Sequence, residues 1–361
     1  MLTVLPAKAG RIMTDFSADL SADPPREPTR RSVWALIDDR PGNNAQILGV
    51  CDALGLGGWK VEEKAIRYTG WVSLPNSIRG ASLTGITEES REALLALWPD
   101  VVVSAGRRAA PVARWIKKQS DKRTRLVQIM FPGKAGAKDF DLIAVPDHDG
   151  STSVKGWPNV LSITGAPSRI TPELLSKEAE HWRRRYDSLP RPYIVVIVGG
   201  ATRARRFSKQ RAFDLGERVG ELAKSVGGSI LLTTSPRTGH DAVEALRQVV
   251  PAPNAIHGWE PGLENPYFGF LGLADTIIVT GDSVSMCAEA CATNKPVYIY
   301  APPGTVSDKH ARLHQQLFDL EYARPLGDSE DATLDNWTHS PLNPASDIAA
   351  AVRALFTDEQ G

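Results

Sequence analysis

The chain has 361 residues, a length that at roughly 100–200 residues per domain predicts two domains or one large one. It carries 42 Lys and Arg against 42 Asp and Glu, a balance that excludes a uniformly basic nucleic-acid coat and an acidic tail protein. Three cysteines, an odd number, exclude a disulfide framework and indicate a reducing, cytoplasmic environment. No apolar run approaches the roughly 18 residues that cross a bilayer.

Residues 1–31 contain four prolines and mixed charges but no apolar segment of signal-peptide length, so we expect a flexible leader outside the fold. After it, short apolar runs alternate with helical patterns, which is typical of parallel strands that helices cover on both faces. In the first predicted domain, residues 32–165, the strands are 33–37, 59–68, 101–104, 126–130, 142–145 and 160–163, and the helices are 44–54, 88–97 and 109–118.

Residues 166–192 contain four prolines around a charged helical pattern, and we interpret them as a linker. The alternation then restarts in residues 193–327, the second predicted domain. Its predicted strands are 193–198, 229–233, 276–280 and 297–300, and its predicted helices are 210–225, 241–250, 283–293 and 310–320. A tail, residues 328–361, ends in a predicted helix over 345–355, which we expect to pack on the first domain. Ligands of such α/β sheets bind beyond the carboxyl ends of the strands.

A glycine pair, Gly199-Gly200, follows the most apolar predicted strand. Backbone N–H groups of a glycine turn can approach a phosphate closely. Five basic residues follow within residues 201–211 without an acid: Arg203, Arg205, Arg206, Lys209 and Arg211. The segment predicts a phosphate site that includes Thr202 and Arg203, or alternatively a plain turn beside a solvated basic face.

Small hydroxyl residues stand between another predicted strand and helix, in the run from Thr280 to Ala290. Ser283, Val284 and Ser285 would expose N–H groups and hydroxyls at the start of the helix, which suits an anion. Glu289, on the next turn, could accept hydrogen bonds from the paired hydroxyls of a ribose. The alternative is an ordinary N-cap with a solvent-facing Glu289.

Two further segments follow predicted strands. The loop with Thr234, Ser235 and Arg237 is interpreted as a hydroxyl-lined ligand loop or as a turn that starts a helix. Lys309 and His310 begin a predicted helix on which His310 and His314 share a face. Their spacing suggests no third ligand, so we expect no metal site.

Residues 107–138 hold ten Lys and Arg against one acid, Asp121. Such a segment suits an anionic partner, for example a lipid phosphate or an acidic membrane leaflet, or else it is a solvated face. We expect no nucleic-acid binding, because aromatic residues do not interleave the basic ones.

The order of these motifs resembles that of GT-B glycosyltransferases, above all the bacterial enzymes that add N-acetylglucosamine to a lipid-linked peptidoglycan precursor. The segments that carry this resemblance are 99–108, 163–167, 199–203, 280–289, 295–297 and 308–314. The resemblance implies that the second domain binds a nucleotide-sugar, with a glycine turn near the diphosphate and a helix-borne acid on the ribose. The matching residues are Gly200, Ser283, Ser285 and Glu289, and Lys309 and His310 match a segment that approaches the donor sugar.

A closer resemblance is to the family named for the plant mitochondrial-fission protein ELM1. Segments 39–46, 104–113 and 281–286 are similar to its characteristic segments, and the resemblance covers residues 33–327. It implies a GT-B-like α/β fold, in which two Rossmann-type domains with parallel sheets face a central cleft. Because the plant member recruits a dynamin-related protein to mitochondria, the family implies the fold better than it implies a function.

One departure concerns the acceptor side. In the peptidoglycan enzymes a glycine-rich loop after the first strand ends in His, whereas the matching segment 38–46 has none. Candidates for the catalytic base are therefore Asp39, Asp147 and His148. The expected acceptor-binding residues are Arg40, Gly42, Asn43, Asn44, Gln46, Arg107 and Arg108, and the expected donor-binding residues are Gly199, Gly200, Thr202, Arg203, Thr234, Ser235, Arg237, Ser283, Val284, Ser285, Glu289, Lys309 and His310.

From these observations we expect a metal-independent glycosyltransferase that moves a hexosyl or N-acetylhexosaminyl group. The donor would be a nucleotide-diphosphate sugar of the UDP type, with no further cofactor, and the acceptor would be anionic or lipid-linked. A cytoplasmic location, with peripheral contact at the inner face of the cytoplasmic membrane, fits such an acceptor. The alternatives are a non-catalytic GT-B-like scaffold that recruits a membrane or a partner and, more weakly supported, a nucleotide-sugar epimerase.

Overall fold

The computed structural model describes residues 30–95, 97–150, 154–200, 207–327 and 334–357. Nearly all of the predicted leader, residues 1–31, lies outside this part of the chain, and so do Thr202 and Arg203. Two six-stranded sheets, parallel throughout, occupy the described residues, with helices between most of the consecutive strands. The predicted α/β fold class is therefore confirmed.

The first sheet is formed by the N-terminal half of the chain. Its strands, in the spatial order β2-β1-β3-β4-β5-β6, are β1 (Ser32–Ile37), β2 (Lys60–Ala65), β3 (Val101–Ala105), β4 (Arg125–Ile129), β5 (Leu142–Pro146) and β6 (Val160–Ile163). The helices of this half are α1 (Pro41–Gly55), α2 (Asn76–Arg79), α3 (Glu88–Glu92) and α4 (Gly106–Gln119). Strands β3 and β5 are buried along their whole length, because helices pack on both faces of the sheet.

The second sheet has the order β12-β11-β10-β7-β8-β9. Its strands are β7 (Tyr193–Val198), β8 (Ser229–Thr234), β9 (Asn254–His257), β10 (Thr276–Thr280), β11 (Val297–Tyr300) and β12 (Arg324–Pro325). The helices from residue 172 onward are α5 (Pro172–Arg183), α6 (Lys209–Val226), α7 (His240–Val249), α8 (Tyr267–Leu273), α9 (Val284–Cys291), α10 (Asp308–Asp319) and α11 (Pro344–Ala354). The short elements β9, α8 and β12 were not predicted from the sequence.

Helix α4 begins three residues before the prediction, so Pro111 lies inside it rather than in its first turn. Proline has no N–H to donate to the carbonyl of Arg107, four residues before it. The side-chain amide of Asn76 takes that place and donates to the Arg107 oxygen over 2.9 Å. A contact from the segment after β2 therefore compensates for the proline.

Helix α5 occupies part of the predicted linker and packs on α8. Trp182 of α5 is 1% exposed, and it lies against Gly269 of α8, where a Cβ atom would stand 2.3 Å from the indole Cδ1. The glycine therefore permits the close approach of the two helices, and α5 belongs to the core of the second half.

Helix α11 returns to the first half. Leu342, just before it, donates its backbone N–H to the carbonyl of Cys291 in the second half. The helix itself buries Ile348 and Val352 in the core formed by α1 and the first sheet. Arg353 donates to the carbonyl oxygen of Ala53, at the end of α1, over 2.5 Å.

We expect Ile348→Ala to lower the free energy of unfolding by about 3 kcal/mol, because a fully buried side chain is replaced by a cavity. The matched control is Leu56→Ala, since Leu56 is 84% exposed at the end of α1 and should contribute less than about 1 kcal/mol. Denaturant unfolding measures both. Equal effects of the two substitutions would contradict the packing of α11 on the first half.

Candidate functional site

The order of the strands reverses at one place in each sheet. In the first sheet this place lies between β1 and β3, and in the second it lies between β7 and β10. Loops that follow two such strands leave the sheet in opposite directions and open a crevice at the carboxyl edge, where ligands of open α/β sheets bind. The predicted site residues after β1, β3, β7 and β10 all lie at these edges.

The carboxyl edge of the first sheet contacts the second half through α10. The carboxylate of Asp147, just after β5, accepts a hydrogen bond of 3.1 Å from the Gln316 side chain. The carbonyl of His148 accepts one of 3.1 Å from the Arg312 guanidinium, and Lys309 forms an ion pair with Asp149. The two halves therefore meet at residues that the sequence assigns to the acceptor side and to the donor side.

The glycine turn after β7 is held by groups of the protein itself. Gly199 donates its N–H to the hydroxyl oxygen of Thr280 over 2.8 Å. Gly200 donates its N–H to the Asp282 carboxylate, also over 2.8 Å. Gly200 has φ = +139°, and a Cβ atom there would stand 2.3 Å from the carbonyl carbon of Arg237, so only glycine fits.

Asp282 is a further acidic group of the candidate site that was not among the residues predicted from the sequence. Burial raises the pKa of its carboxyl, although the Thr280 hydroxyl and the Gly200 N–H favour the charged form. Its Oδ2 lies 4.0 Å from the Arg237 guanidinium, and its Oδ1 is buried without a hydrogen-bond partner. A carboxylate next to a glycine pair one strand away is not visible as a motif in the sequence.

The predicted hydroxyl-lined loop after β8 packs against the glycine turn. The hydroxyls of Ser235 and Thr238 both donate to the carbonyl of Gly199. The hydroxyl of Thr234 accepts the N–H of Trp259 over 2.8 Å. The Arg237 side chain is half-exposed, whereas Thr234 and Ser235 are buried and act here as supports of the turn.

Helix α9 starts where β10 ends, beside the glycine turn. Ser283 is its N-cap and accepts the N–H of Met286 over 3.4 Å. The first turn, with Val284 and Ser285, contains no acidic residue, so the positive end of the helix dipole is not neutralised within the helix. This end of α9 is suited to an anion.

Glu289 does not face solvent, contrary to the alternative considered from the sequence. Its carboxylate accepts a hydrogen bond of 2.5 Å from the hydroxyl of Tyr267 on α8. Burial raises the pKa of this carboxyl to about 7. At neutral pH Glu289 therefore exchanges between a charged and a neutral form.

The two histidines of α10 have separate surroundings. His310 Nδ1 lies 2.6 Å from the hydroxyl of Ser307, and burial lowers the pKa of the imidazole. His314 is buried 4.0 Å from the Cys287 sulfur, and burial lowers its pKa to about 4. Among the residues that the structure describes, no group of three His, Cys, Asp or Glu is placed to hold a metal ion.

The loop between β1 and α1 is clamped by Asn44. Its side-chain oxygen accepts the N–H of Asp38 over 3.0 Å, and its amide donates to the Asp38 carbonyl over 2.7 Å. Gln46 is buried and donates to the carbonyl of Gly42 over 3.2 Å. Asn44 and Gln46 thus shape the loop, and the exposed residues Arg40 and Gly42 are open to a ligand.

Asp39, in the loop after β1, forms an ion pair of 2.8 Å with Arg108, in the first turn of α4. The Asp39 side chain is 71% exposed, so one candidate base lies open at the edge of the first sheet. The Arg108 guanidinium stacks over the ring of Tyr68 at 4.1 Å, and its carbonyl accepts a hydrogen bond from Arg79. Tyr68 and Arg79 belong to the segment after β2, which the sequence analysis did not connect with the site.

The rest of the acceptor-side set lies at the starts of α1 and α4. The amide of Asn43 lies 3.5 Å from the place where a Cβ atom of Gly106 would stand, so the starts of α1 and α4 lie close together. Arg107, on the first turn of α4, has an exposed side chain.

The basic segment 107–138 is partly neutralised by two acids that lie just beyond its end. Asp139 forms an ion pair with Arg114, and Asp141 forms ion pairs with both Lys117 and Arg125. With Arg108 on Asp39, four of the ten basic residues are therefore held in ion pairs. The count along the sequence overstates the positive charge that is left for an anionic partner.

His148 is 2% exposed, unlike Asp39 and Asp147. The pKa of its imidazole is lowered to about 4, chiefly by burial; the Asp149 carboxylate opposes this shift, and the charges of Lys309 and Arg312 contribute to it. The imidazole is therefore neutral near pH 7, and its Nδ1 has no hydrogen-bond partner among the described residues.

No helix in the described part of the chain has the length and apolar character of a membrane span.

Two sequence relatives cover most of the chain. A protein described as "Uncharacterized protein RP120" from Rickettsia prowazekii is 28% identical over 89% of this chain and 98% of its own length. The mitochondrial fission protein ELM1 of Arabidopsis thaliana is 26% identical over 77% of this chain and 68% of its own length.

Among solved structures, the UDP-GlcNAc 2-epimerase of Methanocaldococcus jannaschii superposes with a TM-score of 0.55 at 14% identity, over 90% of this chain and 99% of its own. A second structure of that enzyme, in complex with UDP-GlcNAc and UDP, gives a TM-score of 0.52 at 14% identity over the same shares of the two chains. At such identity the likeness concerns the fold, and the fold is GT-B-like, as the resemblance in the sequence implied.

The family model described as "Mitochondrial fission ELM1" matches residues 41–356, which is most of the chain. The match begins at α1 and includes every strand of the two sheets except β1. The protein belongs to the mitochondrial fission ELM1 family.

Proposed function

We propose that the protein is a glycosyltransferase that takes a hexosyl or N-acetylhexosaminyl group from a UDP-type sugar. The observation that carries the proposal is the reversal of strand order between β7 and β10, where the glycine turn and the start of α9 lie side by side. The diphosphate would lie against the N–H groups of that helix end and near Arg237, and Glu289 would accept the ribose hydroxyls. The related fold of an enzyme crystallised with UDP-GlcNAc and UDP supports a nucleotide-sugar as the ligand.

In this proposal the protein's own groups stabilise the leaving diphosphate. The guanidinium of Arg237, together with the dipole of α9, would offset the charge that develops as the glycosidic bond breaks. Asp147 would remove the proton of the acceptor hydroxyl, because its carboxylate is exposed and lies beside α10, the helix that also carries Lys309 and His310. The acceptor, anionic or lipid-linked, would bind near Asp39, Arg40 and Arg107 at the edge of the first sheet.

A non-catalytic scaffold remains the second candidate. It is favoured by the internal hydrogen bonds of the glycine turn and by the burial of His148, one of the three candidate bases. Titration with UDP-, GDP- and CMP-sugars in a calorimeter separates the two. Binding of a nucleotide-sugar, followed by its consumption when a membrane extract supplies the acceptor, supports the transferase. Absence of binding to every donor would leave only the scaffold.

The epimerase alternative shares the same donor site and is separated by its product. An epimerase converts a UDP-sugar without an acceptor and exchanges a sugar C–H proton with solvent. Incubation with UDP-GlcNAc in deuterated water, followed by mass spectrometry, detects that exchange. For a transferase we expect no deuterium in the recovered donor.

We expect Glu289→Gln to weaken binding of UDP-GlcNAc by at least roughly tenfold, since a hydrogen bond to a charged group contributes about 1.5–3 kcal/mol. With a pKa of about 7, the wild-type carboxyl gains a proton as the pH falls from 8 to 6, and its affinity for the ribose hydroxyls should fall with it. The glutamine variant should bind with the same affinity at both values. Glu244→Gln, on α7 and paired with Arg247, is the matched control. A wild-type affinity that rises on acidification would contradict the assignment.

We expect Asp147→Asn to lower the rate of sugar transfer by a factor of roughly 10²–10⁴, the contribution of a general base. Affinity for the donor should change less than about twofold, because Asp147 lies on the first half. Transfer and binding are measured separately, by product formation and by calorimetry. The same substitution at Asp39 is the control, and a larger loss of rate there would assign the base to the loop after β1.

A further inference from the structure

The anion position of the glycine turn is already taken by a group of the protein. The Asp282 carboxylate accepts the Gly200 N–H over 2.8 Å, and the Gly199 N–H is bound by Thr280 over 2.8 Å. Neither N–H group of the glycine pair is left for a phosphate. A carboxylate oxygen bound to a turn N–H occupies the place that a phosphate oxygen takes in such a turn.

The packing of the turn is fitted to this carboxylate. A Cβ atom at Gly199 would stand 2.3 Å from Asp282 Oδ2 and 2.7 Å from Oδ1. The glycine at this position is therefore required by the protein's own anion as well as by the close approach that a bound phosphate would need.

The hold on Asp282 is nevertheless incomplete. Its Oδ1 is buried without a hydrogen-bond partner among the described residues, which is a costly state for a carboxylate. Burial also raises the pKa of this carboxyl, so its charge is destabilised where it lies. The Arg237 guanidinium lies 4.0 Å from Oδ2, which is too far for a hydrogen bond.

We propose that Asp282 is an intrinsic competitor for the anion position of the glycine turn, and that a nucleoside diphosphate binds only when this carboxylate gives up the Gly200 N–H. The inference rests on the proposed function, because it concerns the same site. Asp282 thereby sets the affinity for the diphosphate, and a ligand without phosphate is insensitive to it.

The test compares UDP with uridine, which lacks the phosphates, on Asp282→Asn. The substitution keeps an oxygen that can accept the Gly200 N–H and removes the negative charge. We expect the affinity for UDP to rise by roughly tenfold or more. The substitution removes the repulsion between the carboxylate and the diphosphate, and a repulsion of about 1.4 kcal/mol corresponds to a factor of ten in affinity. The affinity for uridine should change by less than about twofold. Asp241→Asn, an exposed acid in the first turn of α7, is the matched control and should change neither.

Asp282→Ser is measured as a second variant, so that the test can still be made if the asparagine variant folds poorly. Far-UV circular dichroism checks that both variants are folded. A wild-type protein that binds UDP while both variants bind it equally or more weakly would overturn the inference and leave the proposed function standing. If neither the wild type nor the variants bind UDP, both proposals fail. A parallel rise for UDP and uridine would also overturn the inference, because it would show a change in the nucleoside pocket.

Discussion

Parallel pairing of β7 with β10 is the constraint on which the candidate site depends. Because the two strands run side by side in the same direction, their following loops start at the same edge of the sheet, although 82 residues separate Gly200 from Asp282. Everything at the site follows from that meeting: the turn without side chains, the carboxylate against it, and the helix end beside both. A slip of one strand by one residue would turn the side chains of that strand to the opposite face and displace the loop that follows it.

Much of the architecture could be predicted from the sequence, because its strands are nearly continuous apolar runs. The run from Tyr193 to Val198 and that from Thr276 to Thr280 were predicted with the bounds that the structure has. The prediction of a helix over 88–97 was wrong at its end, since α3 stops at Glu92 and Leu97 has φ = +46°. Helical periodicity continues past the point where the chain turns, and nothing local in the sequence marks the turn.

The residue types at the candidate site could be predicted from the sequence, but the side chains that they contact could not. Glycines, hydroxyls and acids after strands indicated the edge of the sheet as a candidate binding site, and in the structure Gly200 lies directly against Arg237. The sequence could not show that Glu289 is bound by Tyr267, or that Asp139 and Asp141 neutralise the basic segment. Tyr267 and Glu289 are far apart along the chain, and Asp139 and Asp141 lie just after the segment in which the charges were counted. Only the packing of the folded chain brings these side chains to their partners. The family resemblance predicted the fold correctly, but it did not predict these side-chain contacts.

The return of α11 to the first half means that the chain passes between the two halves twice. The two passages run next to each other: a Cβ atom at Gly165, in the first, would stand 3.3 Å from the side chain of Leu342, in the second. The side chain of Ala288, on α9 in the second half, lies 3.1 Å from the same Cβ position, so both passages pack against α9 there. The contacts of α10 with Asp147, His148 and Asp149 form a separate connection between the same two halves. A side chain at residue 165 would press on Leu342 and Ala288 at once, so this glycine lets both passages pack against the core of the second half.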